Sequence, residues 1–212
     1  MNRTELLFIL DRSGSMSGLE ADTIGGFNSS LAEQRKLEGE ARVSTILFDN
    51  QFEELHDRID IHEVEPLTHE QYYVRGSTAL YDAVALGIRK ISNAQKATKP
   101  DARADKVIAV IITDGYENSS RETSATMLKR MINEKRKQNW EFIFMGANMD
   151  AALAAGEIGI PAEYAASYAP DKQGVDLQYI SMNQAVSNLR QNKHIGIEWK
   201  ERVEQDKKQR GK

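Results

Sequence analysis

Short apolar runs of strand length alternate along the chain with longer stretches in which apolar residues recur at helical spacing. The runs predicted as strands are residues 5–10, 42–48, 51–59, 106–113, 141–145 and 163–167. The stretches predicted as helices are residues 21–37, 80–92, 127–139, 150–156 and 175–190. Because strands separated by helices form crossover units, this alternation predicts an α/β fold with a mostly parallel sheet that helices cover on both faces.

Two local features refine this prediction. The run 106–113 shows no polar alternation, which is typical of a central strand buried on both faces. The turn residues Asp49 and Asn50 separate the runs 42–48 and 51–59, so these two runs are predicted to form a hairpin. Inside the first predicted helix stand Gly25 and Gly26, which we interpret as a close packing of that helix on the sheet.

The length and composition indicate one soluble domain. The 212 residues suffice for a single core, which we assign to residues 1–190. Residues 191–212 are predicted to be a polar, charged C-terminal tail, of which 200–212 form a frayed helix or are disordered. No apolar run approaches the length of about 18 residues that a membrane span needs, and no signal peptide is recognisable.

Charge and cysteine content narrow the classes of function. The net charge is −4, which disfavours nucleic-acid binding through bulk electrostatics. The sequence contains no cysteine, which removes disulfides, zinc–thiolate sites and thiol nucleophiles. We therefore expect a cytoplasmic monomer that binds neither nucleic acid nor membrane.

Oxygen-bearing side chains follow the predicted buried strands. Asp11, Ser13 and Ser15 come after the first strand, and Asp114 follows the strand 106–113. Thr78 precedes the helix that begins near residue 80. Ligands of such sheets bind at the carboxyl ends of the strands. An all-oxygen set with two carboxylates suits a hard cation, so Mg²⁺ or Mn²⁺ is expected before Zn²⁺, with Ca²⁺ as a further candidate.

The three separated motifs, Asp11-x-Ser13-Gly14-Ser15, Thr78 and Thr113-Asp114-Gly115, closely resemble the metal-ion-dependent adhesion site of von Willebrand factor type A domains. The resemblance covers roughly residues 4–190. It implies a Rossmann-like, doubly wound sheet of about six strands with one antiparallel edge strand. The short form is similar to intracellular bacterial or phage members of that family.

The resemblance also implies roles for individual residues. Ser13, Ser15 and Thr78 would coordinate the metal directly, and Asp11 and Asp114 would bind it directly or through water. The open coordination position would take a glutamate or aspartate from a partner protein. Six neighbouring residues are candidates for partner contact: Arg12, Met16, Ser77, Tyr116, Glu117 and Asn118.

Two other functions remain open from the sequence. In haloacid-dehalogenase phosphatases, an aspartate like Asp11 is the nucleophile, but a second acid stands where this chain has Ser13, which cannot act as a general acid. The alternative function is therefore that of a Mg²⁺-dependent phosphatase-like hydrolase. The preferred interpretation is a protein-binding module without catalysis. A third hypothesis is a module that binds partner proteins without metal. His56, His62 and His69 are interpreted as surface residues and not as a metal cluster.

Overall fold

The computed structural model describes residues 2–211, and one six-stranded sheet runs through its centre. The strands are β1 (Arg3–Asp11), β2 (Glu40–Phe48), β3 (Phe52–Asp60), β4 (Lys106–Thr113), β5 (Trp140–Ala147) and β6 (Ala165–Tyr168). Their spatial order is β3-β2-β1-β4-β5-β6. The edge strand β3 is antiparallel to β2, and all other neighbouring strands are parallel. The predicted fold class, including the hairpin and the antiparallel edge strand, is confirmed.

Helices cover both faces of this sheet. They are α1 (Glu20–Arg35), α2 (Leu80–Ala97), α3 (Ala125–Arg136), α4 (Ala151–Glu157), α5 (Lys172–Arg190) and α6 (Glu198–Gln209). In α1, the ring of Phe27 packs edge-on against Phe8 of β1, with centroids 5.2 Å apart. In α2, Gly87 lies against Leu7 of the same strand. Since successive residues of a strand point to opposite faces, α1 and α2 lie on opposite sides of the sheet.

The centre of the sheet is buried because its strands are apolar on both faces. Residues 6–10 of β1 and 108–111 of β4 have no exposed surface. The chain runs from β1 to β2 on one side and later returns to add β4 on the other side of β1. This reversal opens a crevice at the carboxyl ends of β1 and β4, where doubly wound sheets bind their ligands.

The glycine pair of α1 packs differently from our expectation. A Cβ at Gly26 would lie 2.0 Å from the ring of Tyr179 in α5, whereas a Cβ at Gly25 would meet no atom within 4 Å. The close contact is therefore between two helices and not between a helix and the sheet.

The C-terminal segment corrects a second expectation. Helix α6 packs against α5 and β6, with Trp199 and Val203 almost fully buried. The indole Nε1 of Trp199 donates to the carbonyl of Glu163 at 2.9 Å, and Lys200 Nζ donates to the carbonyl of Ala165 at 2.8 Å. Two buried apolar residues four positions apart, together with these hydrogen bonds, thus anchor a highly charged helix. Residues 1 and 212, the ends of the predicted domain and tail, lie outside the described residues.

Within residues 2–211, none of the helices has both the length and the apolar character that crossing a membrane requires.

Candidate metal centre

Four predicted ligand side chains form one connected cluster at the carboxyl edge of the sheet. Thr78 Oγ1 donates to Ser13 Oγ at 3.0 Å, and Ser13 Oγ lies 3.1 Å from Ser15 Oγ. Ser15 Oγ in turn donates to Asp114 Oδ1. Three separate loops, which follow β1, precede α2 and follow β4, therefore bring their oxygen atoms to one point.

The fifth predicted ligand, Asp11, lies at the base of this cluster. Its Oδ1 accepts the backbone N–H of Ser13 at 2.7 Å, and its Oδ2 accepts the hydroxyl of Thr113 at 2.6 Å. Burial raises the pKa of Asp11 to about 6, although these hydrogen bonds favour the ionised form. The carboxylate is fixed by donors that hold its orientation but bring no full positive charge.

Asp114 shows the same shortage of positive charge. Burial raises the pKa of Asp114 as well, and the hydrogen bond from Ser15 only partly offsets this effect. Within residues 2–211, no lysine, arginine or histidine forms an ion pair with Asp11 or Asp114. Two buried carboxylates without a cationic partner are costly to ionise unless a cation joins them.

The donor set fits a hard divalent cation. Asp114 Oδ2 is buried and has no hydrogen-bond partner, so one carboxylate oxygen in the cluster has an unused lone pair. In the described part of the chain, no group of three or more histidine, cysteine, aspartate or glutamate side chains could hold a metal ion. A cation here would therefore be held by hydroxyl and carboxylate oxygens, the ligand types preferred by Mg²⁺, Mn²⁺ and Ca²⁺.

Backbone contacts hold the loops of the site together. The hydroxyl of Tyr72 donates to the carbonyl of Asp11 at 2.5 Å, and Gly14 N–H donates to the carbonyl of Gly76 at 3.1 Å. Asn118 Oδ1 accepts the N–H of Thr78 at 2.9 Å. These contacts fix the relative positions of the loops before any ion is bound, which reduces the reorganisation that binding requires.

Two acids brace the same edge without joining the cluster. The carboxylate of Glu117 accepts the N–H groups of Tyr81 at 2.9 Å and of Ser120 at 2.6 Å. The carboxylate of Asp82 accepts the N–H groups of Arg121 and Thr123, each at 2.7 Å. The start of α2 is thereby joined to the loop that follows β4.

The expected partner-binding rim needs correction at Arg12 and Met16, which are 0% and 1% exposed. The guanidinium of Arg12 is covered by the ring of Tyr73 and pairs with Asp49 at 3.2 Å and with Glu53 at 2.6 Å. Neither side chain can contact a partner in this conformation.

The remaining rim residues lie near the cluster. Ser77, Tyr116 and Asn118 are exposed, and Tyr116 retains 57% of its surface. Glu117 is half-buried, and its carboxylate binds the protein's own backbone, as described above. The exposed rim of the site is therefore smaller than the sequence suggested.

Asp49 and Tyr72 support the metal loops, although neither is among the predicted site residues. Asp49 was interpreted only as a turn residue, although it follows β2, the neighbour of β1, at the same edge. A position at the carboxyl end of a strand next to β1 was a signal that Asp49 lies close to the site. Tyr72 lies in a polar, irregular segment that offers no such signal.

The prediction that His56 lies at the surface is wrong. Its side chain is 5% exposed, and its Nδ1 lies 3.0 Å from Thr45 Oγ1.

The sequence model of the von Willebrand factor type A domain matches residues 5–189. No curated protein matches the chain.

Several solved structures share the fold. Proximal thread matrix protein 1 from the mussel byssus, with zinc in its MIDAS motif, has a TM-score of 0.58 and 13% identity, covering 88% of this chain and 46% of that chain. A von Willebrand factor type A protein from Catenulispora acidiphila has a TM-score of 0.58 and 15% identity. The match covers 89% of this chain and 43% of that chain. The manganese-loaded TRAP protein of Plasmodium vivax has a TM-score of 0.56 and 13% identity. The match covers 84% of this chain and 72% of that chain. This chain thus spans less than half the length of the first two proteins, and at these identities the likeness concerns the fold.

Proposed function

Since this chain belongs to the von Willebrand factor type A domain family, we propose that it is a metal-dependent protein-binding module. In this proposal, a bound divalent cation accepts a glutamate or aspartate carboxylate from a partner protein. The proposed ligands are Asp11, Ser13, Ser15, Thr78 and Asp114. The observation that carries the proposal is the buried, unpartnered Asp114 Oδ2 in a cluster of hydroxyl oxygens.

The composition of the ligand set supports carboxylate binding. Three of the five proposed ligands are neutral hydroxyls, so the set contains only two groups that can carry negative charge. A cation held in this way supplies an electrophilic contact for an anionic oxygen from outside. An acidic side chain of a partner protein is a common source of such an oxygen.

The proposed ion is Mg²⁺, with Mn²⁺ and Ca²⁺ as alternatives. The mussel and Plasmodium structures hold zinc and manganese, respectively, which supports a divalent cation in this fold. For this chain, the choice of Mg²⁺ rests on the all-oxygen donor set and its small number of carboxylates.

Exposed aromatic side chains at the metal edge support a protein as the partner. Phe52, Tyr73 and Tyr116 are 40%, 44% and 57% exposed. Phe52 pairs with the end of β2, and the ring of Tyr73 lies 5.4 Å from the guanidinium carbon of Arg12, beside Asp11. Aromatic residues are enriched in protein–protein interfaces, where they bury a large area at low entropic cost.

We propose binding without catalysis. Ser13 stands where a phosphatase of the haloacid-dehalogenase type has its second acid, and its Oγ is held between Thr78 and Ser15. A serine hydroxyl in that place does not supply a general acid at neutral pH.

Selection from a displayed library of random peptides would test this function. The full chain is immobilised in Mg²⁺, and bound peptides are eluted with EDTA and sequenced. We expect the eluted peptides to share an aspartate or glutamate. The variant Thr78→Ala should yield no such pool, while Thr126→Ala, which changes an exposed threonine of α3, should behave as the wild type. Eluted peptides without a shared acid would contradict the proposal.

A further inference from the structure

A small pocket opens beside the metal cluster. Its volume is about 110 Å³, and its apolar wall is formed by Leu80, Tyr81, Tyr116, Met149 and Ala154. Pockets for whole small-molecule ligands begin at about 300 Å³. The size of this pocket is closer to that of a single amino-acid side chain.

The pocket adjoins the metal centre at Gly115, which lines it. A Cβ at Gly115 would lie 3.1 Å from Ser15 Oγ and 3.3 Å from Thr78 Oγ1. One side of this glycine therefore faces the proposed ligands, and the residue also forms part of the pocket wall. A partner segment with an acid at the metal would bring a neighbouring side chain to the mouth of the pocket.

The charged residues of the pocket are all acidic. Glu117 and Glu157 line it, and no lysine, arginine or histidine among the described residues does so. Burial raises the pKa of Tyr81, and the negative charges of Glu157 and Glu117 raise it further. Both acidic side chains, one from α4 and one from the loop after β4, therefore lie close to the phenol of Tyr81.

We propose that this pocket receives a lysine or arginine side chain from the same partner segment whose acid reaches the metal. This inference rests on the proposed function and specifies the chemistry of the partner. A long basic side chain satisfies both properties of the pocket, because its aliphatic stem packs on Leu80 and Met149 while its charged end lies near Glu157. The faces of Tyr81 and Tyr116 favour a cation for the same reason.

An apolar side chain would match the apolar wall of the pocket but not its acidic residues. It would pack on the apolar wall but would leave the exposed carboxylate of Glu157 without a cation, whereas Glu117 is already bound by backbone N–H groups. An acidic side chain would be repelled by both. The charge of the pocket therefore selects among side chains that its shape alone would admit.

The test uses the peptides that EDTA elutes from the wild-type chain. We expect lysine or arginine at one fixed distance from the shared acid. A synthetic peptide of that sequence, measured by fluorescence anisotropy in Mg²⁺, should bind Glu157→Gln about threefold more weakly than the wild type, as expected for a partly exposed ion pair. Glu157→Lys should weaken binding further, since it introduces repulsion.

Two controls make the assignment specific. Glu63→Gln changes an exposed glutamate just after β3, at the opposite edge of the sheet, and should leave the affinity unchanged. A peptide with norleucine in place of its basic residue should bind the wild type more weakly, and Glu157→Gln should not weaken it again.

The possible failures are distinguishable. A shared acid without an enriched basic position, or an enriched apolar position, would overturn the pocket assignment and leave the proposed function intact. A basic peptide that binds Glu157→Gln as tightly as the wild type would overturn it as well. The absence of a shared acid would instead overturn the proposed function.

Discussion

The carboxylate of Asp49 accepts a hydrogen bond from Nε of Arg12 at 3.2 Å, and both side chains are almost completely buried. The same carboxylate oxygen accepts Nε of Arg75 at 2.7 Å. Arg12 stands between two proposed metal ligands, and Arg75 leads into the loop that carries Thr78. Asp49 therefore joins the two loops that carry all three proposed hydroxyl ligands.

Asp49→Asn should destabilise the protein by about 2–3 kcal/mol, because it weakens hydrogen bonds from two arginines to a buried carboxylate and leaves Arg12 with the half-exposed Glu53 as its remaining acidic partner. Urea unfolding monitored by circular dichroism would measure this change. Glu53→Gln is the matched control, since Glu53 also pairs with Arg12 but is 45% exposed. Its loss should stay below about 1 kcal/mol. Equal losses in both variants would contradict the role assigned to Asp49.

A bound cation should stabilise the folded chain. At a Mg²⁺ concentration of about 100 times Kd, the free energy of unfolding should rise by about 2.7 kcal/mol relative to EDTA. Asp114→Asn should lose this gain but should fold in EDTA at least as well as the wild type, because the variant buries no carboxyl group at this position. Urea unfolding in Mg²⁺ and in EDTA measures both effects. A wild-type protein with the same stability in the two buffers would exclude the proposed centre.

The order of elements and the convergence of the five proposed ligand side chains at one edge could be predicted from the sequence because both follow from local rules. An unbroken apolar run marks a central strand, and the residue after such a strand lies at the binding edge of the sheet. Asp11 and Asp114 satisfy both rules. Ser13, Ser15 and Thr78 also lie at element ends, and the resemblance to a known family adds their proposed role as direct metal ligands.

The burial of the Arg12 side chain and the ordered packing of helix α6 could not be predicted in this way. Arg12 lies between two site residues, but its side chain is buried because Asp49 on another loop binds it and Tyr73 covers it. Helix α6 is highly charged, and its order depends on the fit of Trp199 against the start of β6. In both cases, the decisive partner is distant in the sequence, and no local pattern identifies it.

The adjacent glycines of α1 offer a matched pair of substitutions. Gly26→Ala should destabilise the protein by about 1–3 kcal/mol, because the new methyl group would overlap the ring of Tyr179. Gly25→Ala should stabilise it by up to about 1 kcal/mol, since the site is open and alanine favours the helix. Thermal unfolding of the two variants tests the helix contact. Similar effects of both substitutions would show that α1 and α5 do not pack as described.

His56 should give the protein a distinct dependence of stability on pH. Burial lowers the pKa of His56 below its usual value of 6.5, and a hydrogen bond with the backbone of Glu65 opposes this only partly. The unfolded chain therefore binds a proton at a higher pH than the folded chain does. The contribution of neutral His56 to stability is complete above about pH 6.5 and is lost as the pH falls through this value toward the lower pKa of the folded state.

The comparison of the wild type with His56→Gln isolates this contribution. The buried carboxyl of Asp11, with a pKa of about 6, gives a slope of the opposite sign in both proteins and cancels in the difference. The wild type should therefore lose more stability than His56→Gln between pH 7.5 and pH 5.5 in urea unfolding with EDTA. His62→Gln changes an exposed histidine and should follow the wild type. If His56→Gln also follows the wild type, His56 does not titrate as its burial predicts.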